Sequence, residues 1–192
     1  TKWLSHRMVE RGIIKEEEQE LYQFGIRNGM ILLLNVVTAL VIGLLTEQLA
    51  VVAVFTLSFM VLRSYTGGYH SDSRVFCYLG SNLVLLVPVY TQAVFYKTSL
   101  AWLLAVLLVS AGIIFLLSPM HSKNRKLDKE EQKHFGRKAR LIAALELAVL
   151  GILWHAGQIP YAYAVYTGIC ITALFMLVGK AQLWIQSHTE NG

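Results

Sequence analysis

Six apolar stretches constrain this chain more than any other feature. They cover 29–45, 49–62, 78–95, 100–117, 141–157 and 161–178, more than half of the 192 residues. Glu146 is the only one of the chain's 17 basic and 12 acidic residues that falls inside them. A single soluble core would show polar residues at helical or strand period throughout. Here five stretches reach the ~17 to 25 residues that a hydrocarbon layer requires, so an integral membrane protein is expected. With 55% hydrophobic residues and two cysteines, disordered, collagen-like and disulfide-scaffold chains are excluded.

Helices are the expected spanning form. A membrane barrel would alternate polar and apolar residues, and runs such as Leu83 to Val87 or Leu103 to Val109 do not. The expected fold class is therefore all-α, a polytopic membrane protein with about six transmembrane helices and an N-terminal amphipathic helix. Residues 1–28 interleave Trp3, Leu4, Met8, Val9, Ile13 and Ile14 with charges, as suits a broken amphipathic helix at headgroup level, with Gly12 as the break. Because this opening is charged, no secretory signal peptide is expected, and the first membrane segment is expected to be retained. The whole chain reads as one membrane domain: the amphipathic segment 1–28, a six-helix bundle over 29–178 with a basic loop at 118–140, and a tail at 179–192.

The basic residues orient the bundle. If all six stretches cross, sixteen Lys and Arg fall on one side and one on the other, and the crowded side is cytoplasmic. Both termini are then expected inside a bacterial cell membrane. The second stretch is the short one; it needs extension by 46–50 or by 63–65 to cross.

Polar side chains gather beside the membrane in the connection 63–77. It holds Arg63, the pair Gly67 and Gly68, His70, Asp72 and Cys77. An imidazole within reach of a thiol takes its proton, and the thiolate attacks a carbonyl. On one straight helix His70 and Cys77 would lie ~10 Å apart, too far for a hydrogen bond. The pair works only if the chain bends, and Ser71, Asp72 and Ser73 suit a helix start. A helix beginning near Ser73 puts Cys77 in or just past its first turn, where the helix dipole and Arg74 favour the thiolate. Ser81, four residues on, shares that face and could donate toward the reacting centre. A lone cysteine in a membrane helix is otherwise filler, and Cys170, deep in an apolar stretch, is read that way.

The segment Arg63-x-Tyr65-x-Gly67-Gly68-Tyr69-His70, followed by Cys77-Tyr78, resembles the accessory gene regulator B (AgrB) family, membrane peptidases of Gram-positive peptide quorum sensing. The resemblance extends over nearly the full length, through the amphipathic start and the Pro119-containing basic loop. It implies a catalytic dyad of His70 as base and Cys77 as nucleophile, with Arg63 in a supporting role. The third orienting group stays open among Ser81, Asp72 and Asn82. The implied substrate is a precursor signal peptide, AgrD-like, with an amphipathic leader, a central block and an acidic tail. Cys77 would cut before the tail through a thioester, and the peptide's own Cys or Ser would close a thiolactone or lactone.

The basic loop suits an acidic peptide tail or anionic lipid headgroups, with Lys123, Arg125 and Lys126 as the expected contacts. It serves equally to set topology. His70, Cys77, His121 and His134 lack the short paired spacing of a metal site, so neither metal nor cofactor is expected. Peptide and lipid, not nucleic acid, are the expected partners. Glu146 is expected to reach toward Lys138, Arg140 or the interface. Ala139, Ala143, Ala144 and Ala148 permit close helix approach within the chain or in a homodimer. His155, Trp154, Tyr161 and Tyr163 are expected at the outer interface. The rival readings are a non-proteolytic small peptide exporter, for which Asn35, Thr38, Asn82 and Gln92 are too scattered to line a path, and a membrane adaptor for a sensor kinase.

Overall fold

A computed structural model describes residues 2–67, 74–120 and 129–189. Among them every regular element is helical: α1 (Lys2–Glu10), a 3-10 turn (Glu16–Glu18), α2 (Gln19–Leu45), α3 (Leu49–Thr66), α4 (Arg74–Tyr90), α5 (Gln92–Lys97), α6 (Leu100–Leu117), α7 (Lys129–His155) and α8 (Ile159–Thr189). The all-α membrane class is thereby met. The chain parts into two compact units, Thr1–Thr38 and Ala39–Gly192, with the boundary inside α2.

In the first unit α1 ends where Gly12 takes a φ of +66°, a left-handed turn that glycine enters without a Cβ penalty. The amides of Gly12 and Ile13 bond back to the carbonyls of Val9 and Met8. Arg7 lies over the Trp3 ring, and His6 pairs with Glu10 one turn along. Trp3, Ile13, Leu21 and Phe24 remain exposed.

The second unit is built around α8. From Ala162 to Ala173 nearly every side chain of this helix is buried. One face, with Ala164 and Ile171, joins Val52 and Phe55 of α3 and Leu85 and Val89 of α4. Another, with Val165, Ile169, Ala173 and Met176, joins Leu62, Leu107, Ile114 and Ala143 from α3, α6 and α7. In hydrocarbon, helices gain nothing by hiding apolar groups from each other, so close backbone approach and side-chain interdigitation hold them. Gly168 supplies the closest approach: a Cβ there would lie 2.6 Å from Ser58 Oγ and 3.5 Å from the Phe59 amide nitrogen. On α8 the buried hydroxyls of Thr167 and Thr172 bond within the helix, to the Tyr163 and Gly168 carbonyls, so neither is left without an acceptor. On α6, Leu107, Ser110 and Ile114 are buried at helical spacing while Trp102, Leu108 and Leu116 face outward.

Among the described residues four helices are long and apolar enough to cross a membrane: Glu16–Leu45, Leu49–Thr66, Leu100–Leu117 and Ile159–Ile185. The short second stretch is completed at its C-terminal end, where α3 runs on to Thr66. The third stretch is not continuous. Pro88, inside α4, cannot donate to the helix ladder, and the helix breaks at Thr91 before α5 resumes. Its apolar part, Tyr78–Tyr90, is shorter than the others. The fifth stretch forms the inner part of α7, whose first turns are charged.

One expectation changes, that for Glu146, and two are made more specific. Tyr163 is 3% exposed, with its hydroxyl bonded to Thr91 and its ring 4.7 Å from that of Phe95, because α5 folds back over the start of α8. Glu146 does not reach Lys138 or Arg140; its Oε2 accepts from Ser58 Oγ at 2.9 Å. Lys138 instead sits over the Tyr65 ring, and Arg140 Nε donates to the Phe115 carbonyl. The alanine row is divided, Ala139 and Ala143 packing inward while Ala144 and Ala148 stay exposed.

Gly168→Val forces α3 and α8 apart and should cost about 1–3 kcal/mol, read as a loss of roughly 5 °C in melting temperature in detergent. Gly112→Ala, in open space, should leave it unchanged or slightly raised.

Candidate functional site

The residues that carry the candidate chemistry leave the bundle at the end of α3. Gly67 caps the helix with φ +71° and ψ −152°, its amide bonded to the Arg63 carbonyl. Only glycine adopts this backbone without strain. A Cβ would also meet the Met120 carbonyl oxygen at 2.6 Å. The half-buried Arg63 turns back over the same turn. Its Nη1 donates to the Gly67 carbonyl at 3.0 Å, and its guanidinium lies 4.8 Å from the Phe175 ring centroid on α8. Arg63 thus ties the last turn of α3 to α8 through a hydrogen bond and a cation–π contact.

A third element locks onto this turn. The Met120 amide donates to the Thr66 carbonyl at 2.8 Å, so the segment after α6 runs as a strap across the end of α3. Ser118 bonds back to the Ile114 carbonyl, and Pro119 lies against Gly136, where a Cβ would be 3.0 Å from Pro119 Cδ. The Tyr65 ring packs 6.3 Å from that of Phe135. Thr66, Met120, Gly136 and Phe175 are components of this platform that the sequence did not single out. Only the proline in the basic loop hinted at one of them.

Of the expected site residues, Arg63 and Gly67 are placed on this platform. Cys77 belongs to the first turns of α4, which begins at Arg74, one residue from the expected start; its side chain lies outside the described residues. Ser81 follows one turn later and is half-buried. Asn82 Nδ2 bonds to the Tyr78 carbonyl, which turns its amide along its own helix. Gly68, His70, Asp72, Lys123, Arg125 and Lys126 lie outside the described residues. The connections holding His70 and those three cations leave from the same place, since Gly67 and Met120 touch.

Other parts of the bundle are poorer candidates. A cavity of about 290 Å³ between α5, α6, α7 and α8 is lined by Leu103, Leu104, Leu107, Leu150 and similar groups, with His155 its one ionisable imidazole. Cys170, half-buried on α8, is not isolated, as Ser110 and Tyr166 are its hydrogen-bonding neighbours. His134 packs edge-on against Phe135 at 6.0 Å.

The Accessory gene regulator B family profile matches residues 1–177. A putative AgrB-like protein of Clostridium perfringens (strain SM101 / Type A) is 23% identical over 147 residues, covering 73% of this chain and 69% of that one. Putative AgrB-like protein 2 of Clostridium perfringens (strain 13 / Type A) is 24% identical over 131 residues, 65% of this chain and 61% of its own length. The accessory gene regulator protein B of Staphylococcus intermedius is 26% identical over 156 residues, covering 79% of this chain and 80% of that one. No solved structure matches. Since the family match takes in the platform at the end of α3, both connections that leave it and most of α8, the chain belongs to the Accessory gene regulator B family and so to accessory gene regulator quorum sensing.

Proposed function

We propose that this protein is a membrane-embedded cysteine endopeptidase that removes the C-terminal tail of an AgrD-like precursor peptide and promotes its cyclisation. The observation that supports the reading is the pair of helix ends on either side of residues 68–73. α3 ends in a turn held by Arg63, Thr66 and Gly67, and α4 begins at Arg74, three residues before Cys77. In this reading His70 and Cys77 belong to the stretch between these two helix ends, and anchoring those ends supplies preorganisation of the kind nucleophilic catalysis needs.

His70 takes the Cys77 proton, and the thiolate adds to the scissile carbonyl. The tetrahedral intermediate collapses, the leaving amine takes the proton from His70, and the acidic tail departs. The central block is left as a thioester on Cys77. The peptide's own thiol or hydroxyl, deprotonated by His70, then attacks this thioester. A thiolactone or lactone closes, and Cys77 recovers its proton. Thioester exchange between two thiols is nearly neutral in energy, so ring closure needs only to outrun hydrolysis. An internal nucleophile held at an effective ~10⁵ M or more does so, and a site at the membrane edge limits bulk water.

In this reading α4 with α5, and α7, complete six crossings. Both termini and the 63–77 and 118–140 connections face the cytoplasm, where the basic loop meets an acidic tail or anionic lipid. Single cysteines at 47, 98 and 158 should then react with an impermeant reagent added outside intact cells, and one at 123 should not. The reverse pattern would invert the topology.

Reconstituted protein and precursor should give a tail-free product and a covalent mass adduct on the wild type. Cys77→Ala and His70→Ala should lose both, and Cys170→Ala should keep them. Trimming by Cys77→Ala would sink the peptidase reading in favour of an exporter or adaptor. Gly67→Ala combines a strained φ with a clash on Met120 and should lower turnover by about two orders of magnitude, a displacement of order 1 Å being sufficient. Product formation over time checks this.

A further inference from the structure

Glu146 is the single charged residue in the apolar stretches, and it lies where three helices meet. Its Oε2 accepts from Ser58 Oγ of α3 at 2.9 Å. Gly168 of α8 leaves the space that the Ser58 hydroxyl occupies, since any Cβ there would stand 2.6 Å from Oγ. Ser58 itself is 8% exposed, and Leu62, one turn further along α3, is fully buried. A carboxyl at this depth is costly unless it is hydrogen-bonded, and here its partner comes from another helix.

The same two helices meet again at the strap, where Thr66 and Gly67 of α3 touch Met120, and Pro119 packs on Gly136 of α7. From Ser58 to Thr66 is ~12 Å along α3, and from Glu146 back to Gly136 is ~15 Å along α7. Two attachments at that separation prevent α3 from sliding or rotating on α7. A single attachment would leave a pivot. A carboxyl oxygen accepts the hydroxyl proton in either protonation state, so the tie requires an acceptor at this position and not a charge.

We infer that Glu146 is a positioning residue: through Ser58 it holds α3 in register, and so fixes the place of the Arg63–Gly67 turn from which the candidate catalytic connection starts. This inference rests on the peptidase reading for its effect on turnover, and on the Ser58–Glu146 contact for its effect on the helix end. It assigns Glu146 no contact with substrate.

The test uses the full chain in lipid with the precursor, and compares Glu146→Gln, Glu146→Leu, Ser58→Ala and the Ser58→Ala/Glu146→Leu pair. Glu146→Gln, which keeps an acceptor, should stay within about threefold of wild type in kcat. Glu146→Leu and Ser58→Ala should each lose about tenfold in kcat with KM nearly unchanged, and the pair should lose no more than the worse single. Rescue by the amide separates a tie from a collapsed fold. Equal loss in Glu146→Gln and Glu146→Leu would overturn the inference, because ionisation would then be what matters. Wild-type turnover in Glu146→Leu, or losses that multiply in the pair, would overturn it too. If the wild type leaves the precursor intact, the peptidase reading fails, and hydrogen exchange over residues 63–67 decides the positional claim. Faster exchange in Glu146→Leu but not in Glu146→Gln supports it, and unchanged exchange refutes it.

Discussion

The contact of α3 with α8 is the one on which the rest of the second unit depends. Lipid tails are as apolar as leucine, so the bundle must be held by backbones that approach closely and by the few polar groups that find partners across helices. Gly168 permits the approach, and Ser58 occupies the space it leaves. Small residues on either side, Ala164 and Thr172, extend the seam. With α3 laid against it, α8 is left to bury its remaining faces on α4, α6 and α7, which is why it is covered along most of its length while α6 keeps an outward leucine face.

That seam explains where the candidate site begins. A helix fixed along its length delivers its last turn to a defined place, and the last turn of α3 is Arg63 to Gly67. Arg63 carries the fixation over to Phe175, and the Met120 amide closes the end of the helix by taking the Thr66 carbonyl, a group that would otherwise lack an intrahelical partner. The two polar connections of the chain, one with His70 and one with the basic cluster, therefore start from one platform although long stretches of sequence separate them.

Much of this was legible in the residues, and the reasons for the exceptions are physical. The helix ends at Gly12 and near Ser73 could be read because glycine and hydroxyl residues act on their own backbone. That the second stretch must be extended follows from its need to span, whereas its extension at the C-terminal end, to Thr66, is seen only in the structure. The break at Thr91 is not legible in composition, because Pro88 is tolerated in membrane helices where neighbours satisfy the freed carbonyl, and only the packed neighbours decide that. Tyr163 reads as interfacial by its type, and its burial depends on α5 folding over it. Glu146 has cations near it in sequence, whereas its partner lies on another helix.

By itself the sequence determined the class, since six apolar stretches with a single charged residue among them admit no soluble fold and no barrel. It also determined the location of the polar chemistry, since Arg63, Gly67, His70 and Cys77 fall within one short connection, where local spacing constrains what they can do. Only the tertiary structure decided what fixes that connection. The Thr66–Met120 bond, the Arg63–Phe175 stacking and the Ser58–Glu146 tie join residues far apart in the chain, and no periodicity or local propensity encodes such pairs. They follow from which helix faces meet, and that is set by the summed packing of all the helices around α8.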